Sequence, residues 1–480
     1  MTTVTKVARN SLFGLLGQIA VKAVQLGTAA VLARTLNTSG FGDLGYVVAV
    51  QSFFLFIGDF GVEKIALRQI ARRPERAPVV LGAAMTLRAL LSLGSALLAV
   101  LFLVLAAPTA RLAWLGALAC LTLPLALGTL YPVFYQSHLR VGRAAWLTFL
   151  QGALTGGFMI GAAFAPSEWP GLMQYRLELV VAAMAAAPVA SLLLSGWLSR
   201  RDLRPRLAYD PDLWRAFLRE ASPLAFNTIC IMITLRADQL ILRAFRGADA
   251  LGQYVAALRL YEAFTIIPAV LLLSGYPLMA RYDRDDSAGY YEIARWSYKL
   301  LAIFALPVAL GFVVLAEPIM RLFYGAPYTP AATALVILMW SLFFSFTGMV
   351  TFDAVTAAGK QRVFFALSLV TVIFNLALNF TLIPRYGVTG AAIAALLTTT
   401  VNLPFLALIR ETRPLIQKLL GATWRPLLAT GILALLRVAG TPPIPFLLIL
   451  LPAYLLLLLA MGAIDRKDLA LLREAFRRAR

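Results

Sequence analysis

Stretches of eighteen or more mostly apolar residues recur from one end of this chain to the other, separated by short polar connections. As a helix, a run of that length crosses the roughly 30 Å hydrocarbon core of a bilayer. A backbone in hydrocarbon must satisfy its own hydrogen bonds, which leaves helices or a closed barrel. Unbroken apolar runs without strict alternation select helices. The sequence therefore predicts an all-α polytopic membrane protein with about fourteen transmembrane helices, centred near residues 22, 54, 92, 122, 154, 186, 230, 264, 304, 341, 371, 398, 432 and 454. The first is read as a retained helix, because no small-residue cleavage site follows it and its apolar stretch is too long for a signal peptide. Hydrophobic residues make up 61% of the chain, well above the share in soluble domains, so its net charge of +20 does not indicate nucleic acid: no soluble basic domain exists to carry it.

The Lys and Arg residues fall mainly in the loops, and they fall unevenly. Lys6, Arg9, Arg68, Arg72, Arg73, Arg76, Arg140, Arg143, Arg200, Arg201, Arg204 and Arg206 share one side with the basic C-terminal tail. In all, roughly thirty lie there against about eight opposite, which marks that side as cytoplasmic and places both termini in the cytoplasm. The longest connection, SRRDLRPRLAYDPDLWRAFLRE, contains Asp210 followed by Pro211. That pair reads as an N-cap and first position of a short interfacial helix with Trp214, Phe217 and Leu218 on one face. The tail, with Leu469, Leu472 and Phe476 on one face, is expected on the inner leaflet. Cys120 and Cys230 are the only cysteines, both inside apolar spans and read as small packing residues rather than a disulfide.

The chain also repeats itself. LARTLNTSGFGDLGYVVAVQSFF returns some 210 residues later as LRAFRGADALGQYVAALRLYEAF, with Gly42 matching Gly252, and SHLRVGRAAWLTFL pairs with TAAGKQRVFFALSL, placing Arg143 near Arg362. The division this implies is 1–200 as a first six-helix lobe, 201–220 as a basic linker and 221–412 as a second, pseudo-symmetric lobe. Residues 413–464 form two extra spans, and 465–480 a basic tail. Transporters are commonly built from two such repeats, with the substrate between them.

Charges inside the spans are expensive and mark function by default. The basic ones are Lys22, Arg88, Arg236 and Arg259, candidates for a cationic cavity; the acidic ones are Asp59, Glu63, Asp238 and Glu262, candidates for a gate or for ion coupling. Each has a plainer alternative. Arg236 can pair with Asp238, and Arg259 with Glu262 at i and i+3. The long stem of Lys22 can snorkel to an interface, while Asp59 and Glu63, beside Lys64, can form a structural ion pair. No acid lies within one turn of Arg88 on its own helix. Asn375 and Asn379 share one helix face and suit interhelical hydrogen bonding, with sugar contact as the alternative. His138 and Asp353 read as solvated residues near helix ends. Pro124, Pro132, Pro268, Pro277 and Pro307 mark places where helices bend, for packing or for motion.

The ordered signatures ARTLNTSGFGDLGY with IGDFGVEK, LRADQLIL with LGQYVAALRLYE, PIMRLFYGAPYTPAA, and AAGKQRVFF with NLALNFTLIPRYGVTGAAIAALLTT resemble the polysaccharide flippases of the multidrug/oligosaccharidyl-lipid/polysaccharide exporter superfamily. The resemblance spans almost the whole chain. It implies two six-helix lobes around a central cavity, and alternating access. It also implies transfer of an undecaprenyl-diphosphate-linked oligosaccharide from the inner to the outer leaflet of the bacterial cytoplasmic membrane. Partners on this reading are the lipid-linked oligosaccharide and membrane lipids, together with a polysaccharide polymerase and glycosyltransferases. The chain is expected as a monomer without cofactor, driven by H+, Na+ or the membrane potential. Fixed guanidinium charge suits the diphosphate, because one Arg bonds two oxygens at once. A multidrug or cation antiporter of the same superfamily is the alternative; it would favour an acidic cavity and commonly has twelve helices. A glycosyltransferase or polymerase fits less well, since the longest outward loop carries only Glu168 and no nucleotide-binding signature occurs.

Overall fold

A computed structural model describes residues 3–168, 170–203, 205, 209–268, 287–357, 361–410 and 412–463. The helices are α1 (Thr3–Asp59), α2 (Val62–Arg72), α3 (Ala77–Ala106), α4 (Ala110–Leu121), α5 (Tyr131–Ser137), α6 (Val141–Glu168), α7 (Arg176–Ser199) and α8 (Pro211–Phe264). After these come α9 (Ser287–Tyr324), α10 (Ala332–Ala357), α11 (Gln361–Leu408), α12 (Arg413–Val438) and α13 (Pro443–Ala460). No strand occurs among the described residues.

Ten described helices are long and apolar enough to cross a membrane. Three of these spans, Gly14–Asp59, Ala225–Pro268 and Phe365–Leu408, run 46, 44 and 44 residues. At 1.5 Å per residue each would exceed 60 Å, about twice a bilayer core. Each carries one non-helical residue near its middle: Asn37 (φ 60°), Gly247 (φ 84°) and Gly387 (φ 57°). In α11 and α8 hydrogen bonds show that the chain turns back there, and in α1 Asn37 breaks the helix at the equivalent place. Asn375 Nδ2 donates to Thr398 Oγ1 at 3.1 Å, and Thr371 Oγ1 to Asn402 Oδ1 at 2.9 Å. Residues 23 apart in a straight helix would be separated by about 34 Å. Tyr254 likewise donates to the carboxylate of Asp238 across Gly247. Each double-length helix is thus a hairpin of two spans. Together with the seven single spans and the bent pair Ala110–Leu121 and Leu123–Ser137, kinked by 41°, they make the fourteen expected crossings. Pro124 starts the 3-10 turn Leu123–Leu130 at that kink.

Two local expectations differ. The chain does not run straight on through Asp59 and Glu63: Phe60 and Gly61 take positive φ, ending α1 and starting α2 in a new direction. The interfacial helix at Pro211 is not separate but is the continuous start of α8. Asp210 caps it as expected, accepting from the Leu213 amide at 3.0 Å. Its apolar face meets protein rather than lipid, with Phe217 fully buried in the core formed with α2, α3 and α5 and the Trp214 indole donating to the Ala83 carbonyl at 3.1 Å. The tail and Pro277 lie outside the described residues, as do the side chains of Asp353 and Glu168.

The chain forms two compact units, Met1–Ala256 and Ala257–Arg480. In the first, glycines let helices approach closely, as membrane interfaces favour. A Cβ on Gly17 would stand 2.6 Å from that of Ala145, and one on Gly156 2.5 Å from Thr28 Oγ1. In the second, α12 and α13 pack on α9 through Leu310, Leu433, Phe446 and Tyr454. Outward-pointing Leu101, Val104, Leu105, Leu193 and Leu448 are exposed and face lipid, which is as apolar as they are.

Candidate functional site

The repeat is physically realised in the first unit as a pseudo-two-fold crossing of helix hairpins. Asn37 and Gly247, 210 residues apart, share the same turn conformation (φ 60°, ψ 177° and φ 84°, ψ −175°). Just beyond them Gly42 and Gly252 pack reciprocally. A Cβ on Gly42 would lie 1.9 Å from the Ala248 carbonyl oxygen, and one on Gly252 2.0 Å from that of Thr38. Thr38 and Ala248 are themselves repeat mates, as are Gly45 and Val255, which also meet. Only residues without a Cβ permit this approach. Polar side chains rim the crossing: Arg243 Nε donates to Asp43 Oδ1 at 2.9 Å, Thr38 Oγ1 donates to Asp249, and Asp238, 6% exposed, accepts from Tyr254 and from the Gln239 amide. Sequence reasoning missed Asp43, Arg243 and Asp249. They sit inside the repeated motif, where they read as ordinary loop charges.

The intramembrane charges sort into different settings. Arg88, only 4% exposed, reaches acids that its own helix lacks: its Nε lies 3.3 Å from Asp59 Oδ1, its Nη1 4.0 Å from Glu63 Oε2, and it donates to Thr129 Oγ1 at 2.8 Å. Asp59 ends α1 and Glu63 opens α2, so the break at Phe60–Gly61 aims both carboxylates at one guanidinium. Glu63 lies outside the apolar spans. Burial above all, then the charge of Asp59, pushes its carboxyl upward against the pull of Arg88 and Lys64. Lys22 is half-buried and has no hydrogen bond or ion pair among the described residues. Arg236 is half-buried within α8.

In the second unit Arg259 bonds Glu262 at 2.9 Å with both about one quarter exposed, as the i, i+3 spacing allows. Tyr261 and Ser345 share a 2.8 Å hydrogen bond. Asn375 and Asn379 are buried in the α11 hairpin and bonded to Thr398 and to each other. Lys299, 5% exposed on α9, is a further buried cation that sequence reading passed over, hidden in the mixed stretch YEIARWSYKLL.

The family described as polysaccharide biosynthesis protein matches residues 7–283, more than half of the chain. The chain belongs to this family. The MatE family also matches, over residues 223–381. Among relatives, the putative O-antigen transporter of Shigella flexneri is 22% identical over 404 residues, covering 81% of this chain and 94% of the relative. The succinoglycan biosynthesis transport protein ExoT of Rhizobium meliloti is 24% identical over 345 residues, covering 70% and 66%. The fold is that of the lipid II flippase MurJ in an inward closed conformation (TM-score 0.70, 16% identity, 96% of this chain and 99% of the other). An inward-facing multidrug resistance MATE transporter is also similar (TM-score 0.59, 15% identity, 87% and 96%). As a member of the polysaccharide biosynthesis protein family with ten described membrane-spanning helices, the chain is an integral membrane protein whose fold is similar to that of these transporters.

Proposed function

We propose that this protein flips a lipid-linked oligosaccharide, carried on undecaprenyl diphosphate, from the inner to the outer leaflet of the cytoplasmic membrane by alternating access. The observation that carries the reading is Lys22, a cation inside an apolar span with no hydrogen bond or ion pair among the described residues, in a member of the polysaccharide biosynthesis protein family. Holding a charge there costs at least about 2.5–3.5 kcal/mol on insertion scales, and an anionic ligand with water offsets it. Lys22, Arg236 and Arg259 are the residues proposed to meet the diphosphate, with Arg88 held by Asp59 and Glu63. With both termini cytoplasmic, Asn37 and Gly247 fall at the outer ends of their spans. The glycine crossing beside them is then the outer seal, which must part for release. Asp59 and Glu63 are the proposed titratable pair for coupling to H+, with Na+ and the membrane potential as the other drives. Interaction with the polymerase and glycosyltransferases of the same synthesis belongs to this reading as well.

The MatE match favours a second reading, an antiporter of cationic drugs. Such a cargo calls for an acidic cavity, whereas the unpaired charge on Lys22 is basic. The deciding experiment reconstitutes the protein in vesicles and follows leaflet accessibility of a polyprenyl-diphosphate-linked oligosaccharide. Acceleration by the wild type that Lys22→Gln abolishes supports the flippase. No acceleration, with export of a cationic dye instead, overturns it.

A further inference from the structure

At the loop end of α7, immediately after the apolar span that finishes at Ser199, a cavity of about 610 Å³ opens among Arg200, Arg201, Asp202 and Leu203. One acid there, Asp202, pairs with Arg140 and Arg143, while Arg200 and Arg201 line the same cavity. Asp202 accepts from Arg140 Nη1 at 3.2 Å, from Arg143, and from Tyr135 Oη at 3.0 Å. Partial burial opposes its charge, but the Tyr135 bond and the Arg143 and Arg140 charges hold its carboxyl below the usual range. The acid is thereby fully committed to Arg140 and Arg143. Arg200 has only the face of the Trp197 indole, 5.1 Å away, and Arg201 has no hydrogen bond or ion pair among the described residues. Cations so crowded around one carboxylate leave a net positive recess that draws an external anion.

The surroundings select the kind of anion. Trp197 and Trp146 are each 57% exposed, near the ends of α7 and α6 that carry these arginines, and Leu193 one turn deeper is 68% exposed. Amphipathic indoles at that level belong to the headgroup zone, with the leucine in the acyl zone. A basic recess at the rim of such a surface fits a phosphodiester whose chains lie along α7. We propose that Arg200 and Arg201, backed by Arg140 and Arg143, bind the headgroup of an anionic glycerophospholipid of the adjoining leaflet. The proposal needs no assumption about cargo or orientation.

The test uses the full chain in phosphatidylcholine bilayers containing a small fraction of spin-labelled phosphatidylglycerol. The immobilised fraction of this label is compared with that of labelled phosphatidylcholine. Wild-type protein should prefer phosphatidylglycerol, and the double variant Arg200→Gln with Arg201→Gln should lower that preference on the order of tenfold. The phosphatidylcholine signal should stay unchanged, which also reports intact folding. Arg215→Gln, an exposed cation paired with Asp212 at 3.4 Å on α8, serves as the charge control. An unchanged preference in the double variant overturns the proposal, and so does an equal loss in Arg215→Gln, which would reduce the effect to net charge. Because no transport is measured, the outcome stands apart from that of the flipping assay.

Discussion

Arg88 and Arg259 carry the same charge inside apolar spans, yet their surroundings ask different things of a substitution. Arg88 is almost fully enclosed and compensates two carboxylates. Its removal leaves Asp59, 17% exposed, without its guanidinium and takes from Glu63 a longer contact at 4.0 Å, which costs stability because an acid is left uncompensated. Arg88→Ala should therefore depress the thermal midpoint and cellular abundance, and adding Asp59→Asn should recover part of both, read by melting curves of purified protein. Arg259 is a quarter exposed in a local i, i+3 pair, an arrangement worth only about 0.2–0.5 kcal/mol. Arg259→Gln should leave the midpoint nearly unchanged while flipping falls at least tenfold. The double variant with Glu262→Gln separates the roles. Normal transport by it would show that Arg259 serves only to neutralise its neighbour.

Between elements, the glycine crossing makes the sharpest structural claim. Adding one methyl at Gly42 or Gly252 places a carbon about 2 Å from a carbonyl oxygen, so the backbones must part, at a cost of about 1–3 kcal/mol. Each Ala variant should lower the midpoint, whereas Gly94→Ala, which meets nothing within 4 Å, should not. A midpoint for Gly42→Ala equal to that of Gly94→Ala would deny the crossing. If this crossing is the outer seal, cysteines at Thr38 and Asp249, whose side chains touch, should block flipping when linked and release it on reduction, in a background lacking Cys120 and Cys230. The junction of α1 and α2 predicts a pH effect. Glu63 has its carboxyl raised in the folded protein, so the fold binds a proton that the unfolded chain has already released. Stability should then fall as pH rises from the ordinary carboxylate value through the raised one. Glu63→Gln should flatten that slope in melting curves taken across pH; an unaltered slope would remove Glu63 as its origin.

For the whole molecule, reporter fusions after Arg204 and after Arg480 should both report the cytoplasm. An outside signal from either would overturn the orientation read from the loop charges. What the sequence determined by itself was the number and position of the spans, because hydrocarbon admits little besides helices of a fixed length and the apolar runs record that length directly. It also disclosed the repeat, since Gly42 and Gly252 are constrained at equivalent places. Other features needed the tertiary structure. That Gly42 and Gly252 touch one another, that the acids for Arg88 come from α1 and α2, and that Trp214 and Phe217 pack on protein were decided by contacts between distant segments. Periodicity describes one helix at a time: it shows that Arg88 lacks an acid on its own helix, and says nothing about carboxylates delivered by a turn at Phe60 and Gly61, where two positive-φ residues redirect the chain.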